Sequence, residues 1–256
     1  MTLLSYRIGN PRKSLLPLER LKTVGLSHVE INLEPEAKAE EIRLLLAEHD
    51  LKAASLTTPC PLNEPDRLFE VFENYCGKAR VLGAAILFVS AKPGELTFDA
   101  ACERLHQLGD IAARYDLRIG IETHPPLCEN SEKSAGIMAA IDHPNVGINF
   151  DTANVYYYNH DINAVDELRK TLPYVVSVHL KETNGNYHDA AFPEFGKGVV
   201  DFPGVFKTLQ EANFSGPFTI ELEGSALALK DPQSHETHLR NCVQYLRDLG
   251  LGCCFA

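Results

Sequence analysis

The chain has 256 residues, 45% hydrophobic and 23% charged, with 24 basic and 35 acidic side chains and a formal net charge of −11. That is the size and composition of one globular domain with a substantial core, and the acidic balance argues against nucleic acid and anionic membrane surfaces as partners. It does not exclude an anionic small molecule, because a bound cation inverts the local field.

Seven cysteines are scattered through the chain and none forms a CxxC pair. With no signal-like start and no apolar run near the ~18 residues that span a membrane, they are expected to be reduced thiols in a cytoplasmic protein. The vicinal pair Cys253-Cys254 is expected to be inert.

Strand-like and helix-like patterns alternate from end to end. The first predicted strand covers residues 3–8 and is followed by a short helical pattern at 17–24. Strand 28–33 leads into helix 36–49, where acidic residues come early and apolar ones recur at helical spacing. Strand 53–57 precedes helix 66–82, strand 84–90 precedes helix 98–115, and strand 117–123 precedes helix 131–141. Strand 146–150 is followed by helix 162–172. Strand 175–180 is followed by the longest irregular stretch, 181–200, and then helix 202–212. Strand 218–222 and helix 235–249 complete the series. Eight such repeats, with no GxGxxG after the first strand, predict an α/β fold closed as a single (β/α)8 TIM barrel over residues 1–256. His235 and His238 are expected on the surface of the last helix.

Four of the strands end in a residue able to bind a metal. They are Arg118-Ile-Gly-Ile-Glu122, Val146-Gly-Ile-Asn-Phe-Asp151, Val175-Val-Ser-Val-His179 and Phe218-Thr-Ile-Glu221. In a parallel barrel the C-terminal strand ends meet at one rim, so residues far apart in sequence converge there. A single polar strand end needs no function to explain it. Three carboxylates and an imidazole together suit one divalent ion, Mn²⁺, Mg²⁺, Co²⁺ or Zn²⁺, with room for substrate oxygens.

The chain resembles the xylose isomerase-like TIM barrels, a family that includes many sugar and sugar-phosphate isomerases and epimerases. The resemblance is carried, in order, by Gly25-Leu-Ser-His-Val-Glu30, Ile119-Gly-Ile-Glu-Thr-His124, Asn149-Phe-Asp-Thr-Ala-Asn154, Val178-His-Leu-Lys-Glu182, Gly196-Lys-Gly-Val-Val-Asp-Phe-Pro203 and Gly216-Pro-Phe-Thr-Ile-Glu221. It implies that Glu122, Asp151, His179 and Glu221 hold one divalent ion. It also implies that Glu122 and Glu221 move a proton beside a substrate carbonyl through a metal-stabilised enediolate. The expected substrate is a small carbohydrate or keto-polyol.

His124 shares the face of Glu122 and Lys181 that of His179, which makes both candidates for substrate contact. Asn154 either binds substrate or caps the following segment. Glu30 either touches substrate or braces the barrel, and His188 lies on the long loop.

Departures from the family pattern narrow the activity. The zinc endonuclease branch expects extra histidines, where this chain has Ser55-Leu-Thr-Thr, Val89-Ser-Ala-Lys92 and Asn154. The tagatose-epimerase branch expects an arginine in the loop after the seventh strand, and 181–200 has none. That leaves room for a lyase acting on an inosose- or dehydroshikimate-like compound, or for a binder that keeps the metal. The loop after the eighth strand has no cation before Lys230, so a neutral sugar is favoured there, although backbone amides alone can hold a phosphate. Whether the chain forms a homo-oligomer is left open by these residues.

Overall fold

The computed structural model describes residues 3–226 and 231–250; Lys230, Cys253 and Cys254 lie outside them. Eight parallel strands close on themselves in sequence order. They are β1 (Leu3–Gly9), β2 (His28–Asn32), β3 (Lys52–Thr57), β4 (Ile86–Val89), β5 (Arg118–Glu122), β6 (Val146–Asp151), β7 (Val175–Leu180) and β8 (Pro217–Ile220). Around them run α1 (Leu18–Val24), α2 (Ala39–Glu48), α3 (Pro65–Leu82), α4 (Phe98–Arg114), α5 (Ser131–Ile141), the single turn α6 (Asn154–Tyr157), α7 (Ala164–Thr171), α8 (Phe202–Glu211) and α9 (Pro232–Asp248). This is the (β/α)8 barrel that the alternating patterns predict. The turn α6 is an addition that they did not reveal.

Local chemistry sets the helix starts. Thr97, Asn130, Asn163, Asp201 and Asp231 each accept a first-turn backbone N–H at the head of α4, α5, α7, α8 and α9, removing orphan donors that the helix cannot satisfy itself. Proline at the first turn of α3, α8 and α9 has no N–H to lose there.

Side chains alternate across each strand, so every second residue enters the barrel. Low in the interior, Ser5 and Thr219 hydroxyls are hydrogen-bonded at 2.6 Å, and Ser177 donates to Asn149 Oδ1 at 2.7 Å. Gly120 leaves room for this layer, since a Cβ there would lie 3.0 Å from Ser177 Oγ. One step toward the C-terminal rim come Arg7, Glu30, Ser55, Phe88, His179 and Glu221. Another step on, Asn32, Thr57, Ser90, His124, Lys181 and Glu223 form the lip.

The outward faces pack against the helices. His235 and His238 are buried rather than on the surface as expected. His235 Nε2 pairs with the Tyr6 hydroxyl at 2.6 Å, because Tyr6 points outward from β1 into the layer that α9 covers. The five described cysteines, Cys60, Cys76, Cys102, Cys128 and Cys242, are buried free thiols. Among the described residues no helix is long and apolar enough to cross a membrane.

Candidate metal and substrate site

At the C-terminal mouth, Asp151, His179 and Glu221 bring one ligand atom each within 4.8 Å of one another, all three residues being buried. β6 and β7 place Asp151 opposite His179 in register. β8 adds Glu221, whose N–H bonds to Leu180 O at 3.0 Å.

Each ligand is aimed by a neighbour. Asp151 Oδ1 accepts the N–H groups of Ala153 (2.8 Å) and Asn154 (2.9 Å), which anchors the α6 turn and leaves Oδ2 facing the mouth. His179 Nε2 donates to Glu30 Oε2 at 3.2 Å, and Ser55 Oγ donates to the same oxygen at 2.7 Å. With Nε2 so engaged, His179 Nδ1 is turned toward the cluster, 3.4 Å from Glu221 Oε2, and would serve as a ligand once deprotonated. Phe88 stacks on the imidazole at 4.6 Å between ring centroids. Asp151 Oδ2 and His179 Nδ1 are buried without a hydrogen-bond partner. Their nearest polar neighbours are ionic, the Lys181 ammonium 3.0 Å from Asp151 Oδ2 and Glu221 3.4 Å from His179 Nδ1, and a donor set of two carboxylates and an imidazole suits a hard or borderline divalent ion that would replace those contacts.

The surrounding charge is balanced by the protein's own cations. Lys181, 1% exposed, places Nζ 3.0 Å from Asp151 Oδ2, 2.8 Å from Glu221 Oε2 and 2.8 Å from Glu223 Oε2. Arg7 pairs with Glu221 and reaches Glu30 at 3.5 Å, its guanidinium 5.0 Å above the Phe88 ring. Burial pushes the Asp151 carboxyl up to about 6, with Lys181 pulling back. Burial also opposes ionisation of Glu221, but Lys181, His179 and Arg7 outweigh it and hold that carboxyl well below its ordinary range. His179 is raised to about 10: burial disfavours its charge, and Glu30 and Glu221 more than compensate.

The remaining expected residues surround this centre. Glu122, half-buried at the end of β5, is outside the compact trio, and its charge is felt by Arg7 and Tyr158 across the mouth. Glu30 lies beneath the trio, 1% exposed, holding His179. His124 directs Nδ1 at Pro125 O (2.6 Å) and sets its ring against Tyr158 at 4.9 Å. Asn154 donates from Nδ2 to Thr123 O at 3.0 Å and, with Tyr157, Tyr158, Phe192 and Glu223, lines a cavity of about 220 Å³. His188 is an exposed residue at φ 54°, stacked between Tyr157 (5.1 Å) and Tyr187 (4.0 Å).

Sequence reasoning missed Arg7, Glu223 and the aromatic wall of Tyr157, Tyr158 and Phe192. Arg7 is the one cation inside a largely apolar strand, which is the signal that was there to be read.

A model described as xylose isomerase-like TIM barrel matches residues 18–249. L-ribulose-5-phosphate 3-epimerase UlaE of Escherichia coli is 26% identical over 136 residues, covering 53% of this chain and 46% of that protein. The chain thus matches about half the length of that relative. Among solved structures, a xylose isomerase domain protein from Planctomyces limnophilus superposes with a TM-score of 0.79 at 18% identity over 98% of both chains. D-allulose 3-epimerase from Methylomonas sp. gives 0.75 at 16% identity, over 97% of this chain and 98% of that one. With the family model spanning most of its length and the closed barrel beneath it, the chain belongs to the xylose isomerase-like TIM barrel family.

Proposed function

We propose that this chain is a divalent-metal-dependent sugar epimerase or isomerase that removes a proton beside the carbonyl of a small ketose or keto-polyol and returns it. The observation that carries the reading is the convergence of two carboxylates and an imidazole, Asp151, Glu221 and His179, all buried, with one ligand atom each within 4.8 Å of one another. Asp151, His179 and Glu221 would hold the ion, and Glu122 would complete the set from the β5 side of the mouth. When bound, the ion supplies Lewis-acid polarisation of the carbonyl and its neighbouring hydroxyl.

The protein's own groups do the rest. Glu122 ends β5 and Glu221 directly follows β8, three strands further round the eight-stranded mouth, so a substrate carbon between them would be open to a carboxylate from either side. That arrangement suits removal of a proton from one face and delivery to the other. Arg7 and Lys181 flank Glu221 and keep it ionised, as a base must be. His124, Asn154 and His188, with the aromatic wall, would position the sugar, while Lys181 acts through the carboxylates it holds and Glu30 acts through His179. The epimerase relative supports the same chemistry.

The test is proton exchange in D₂O. Metal-loaded protein is incubated with L-ribulose, D-allulose and L-ribulose 5-phosphate and followed by NMR and mass spectrometry. Deuterium entering beside the carbonyl, with no other change in product mass, is the expected result. Loss of water would replace the reading with a lyase. Absence of exchange from protein carrying stoichiometric metal would overturn an epimerase or isomerase acting on these substrates.

A further inference from the structure

On the opposite side of the mouth from the aromatic wall, the ends of β2, β3 and β4 open into a cleft of about 480 Å³. Its inner wall is made by Asn32, Thr57 and Ser90. These continue, two residues further along their strands, the inward faces of Glu30, Ser55 and Phe88, the groups that hold and stack on His179. Two strand residues rise about 6.6 Å, which the carbon chain of a pentose spans. The cleft is therefore where the far end of a sugar would lie if its carbonyl end reacts at the Asp151–His179–Glu221 cluster.

Two features suit that cleft to an anion. Lys92 lines it, exposed and without an ion pair among the described residues. Its backbone is fixed by a parallel bridge to Pro61. Arg67 and Glu64 also line the cleft and offset each other as an ion pair at 3.6 Å, which leaves Lys92 as the net positive charge of its lining. In addition, Thr57 Oγ1 is a buried hydroxyl with no hydrogen-bond partner, a cost that a ligand oxygen would remove. The facing cavity is lined by aromatic rings and by Glu223, whose carboxylate is paired with Lys181, and by no cation, so an anionic group finds its counter-charge on the β2–β4 side.

We propose that this cleft is a subsite for a terminal phosphate monoester, with Lys92 as its counter-charge and Thr57, Asn32 and Ser90 as neutral partners, so that the substrate is a phosphorylated sugar. The inference rests on the reaction site being the cluster described above.

Calorimetry with metal-loaded protein tests it, using L-ribulose 5-phosphate, L-ribulose and inorganic phosphate as probes. Lys92→Gln, an exposed substitution, should weaken the phosphate ester at least tenfold, leave L-ribulose unchanged and abolish competition by inorganic phosphate. Thr57→Val, which keeps the shape, should weaken the ester several-fold. Equal binding of ester and free sugar by the wild type, or a Lys92→Gln protein that binds the ester normally, would overturn the subsite. The two readings fail separately. Lys92-dependent binding of an ester that exchanges no deuterium removes the proposed reaction and keeps the subsite; exchange that is indifferent to phosphate and to Lys92 does the reverse.

Discussion

Glu122 and Glu221 are chemically identical, yet the barrel gives them different burdens. Glu221 is buried against Arg7, Lys181 and His179, so converting it to an amide leaves a cluster of buried cations short of a counter-charge. Breaking one partner out of a buried pair costs about 3–5 kcal/mol. Glu122 is half-buried and belongs to no ion pair among the described residues. Glu122→Gln should therefore abolish proton exchange while leaving denaturant stability nearly unchanged, whereas Glu221→Gln should abolish exchange and also lower stability by several kcal/mol. Urea titrations beside the exchange assay check this. Equal stability of the two variants would mean that the cations around Glu221 relax away, and retained exchange in Glu122→Gln would remove its role in proton transfer. At this scale the sequence is informative about ligand types and poor about their partners. Asp151, His179 and Glu221 could be read from strand ends, because position on a strand decides where they point. Arg7 could not be assigned to Glu221, 214 residues away, because their contact exists only once β1 closes the barrel against β8. For the same reason Lys181 read as a cation for substrate, although three carboxylates take up its ammonium.

The long segment between β7 and α8 shows how one side chain can order an element that has no regular structure. Glu182 follows Lys181 and turns away from the mouth. Its Oε1 accepts the N–H groups of Thr183 and Val200, both at 3.0 Å, and Oε2 accepts that of Gly196 at 2.9 Å. Val199 N–H bonds back to Thr183 O at 2.9 Å. The two ends of the loop are thus tied to one carboxylate, and the loop carries Phe192, whose ring lies 5.1 Å from the Lys181 ammonium. Gly198 permits the close approach, since a Cβ there would lie 2.1 Å from Thr183 O. Glu182→Gln turns one acceptor into a donor facing other donors and should cost about 1–3 kcal/mol. Hydrogen exchange across 183–200 should accelerate while the barrel strands stay protected. If protection of the loop is unchanged, the carboxylate is not what fixes it. The strands and major helices were legible because apolar periodicity and capping residues act locally. The order of this loop was not, because it depends on a carboxylate whose acceptor geometry no pattern of spacing encodes; the single turn α6, nucleated by Asp151 Oδ1, escaped for the same reason.

Taken as a whole, the barrel encloses three carboxylates, Glu30, Asp151 and Glu221, among three cations, Arg7, His179 and Lys181. That balance sets the terms for metal entry. His179 is raised to about 10, against about 6.5 for a free imidazole. A raised folded value stabilises the protonated form, so this contribution is complete below about pH 6.5 and is lost as pH climbs through about 10. A metal ligand must instead be neutral at Nδ1, so metal uptake at pH 7 should release a proton from His179. Apparent affinity should then rise about tenfold per pH unit up to the His179 value and level off above it. Ligation at a thousandfold excess over Kd adds about 4 kcal/mol, which for a chain of this size shifts Tm by on the order of 10 °C. Melting curves of metal-free and Mn²⁺-loaded protein between pH 6.5 and 10 test this. The metal-free Tm should fall with rising pH while the loaded Tm holds, so the gap widens. A gap that stays constant with pH would show that metal binding leaves the His179 proton in place, and the imidazole would then not be a ligand.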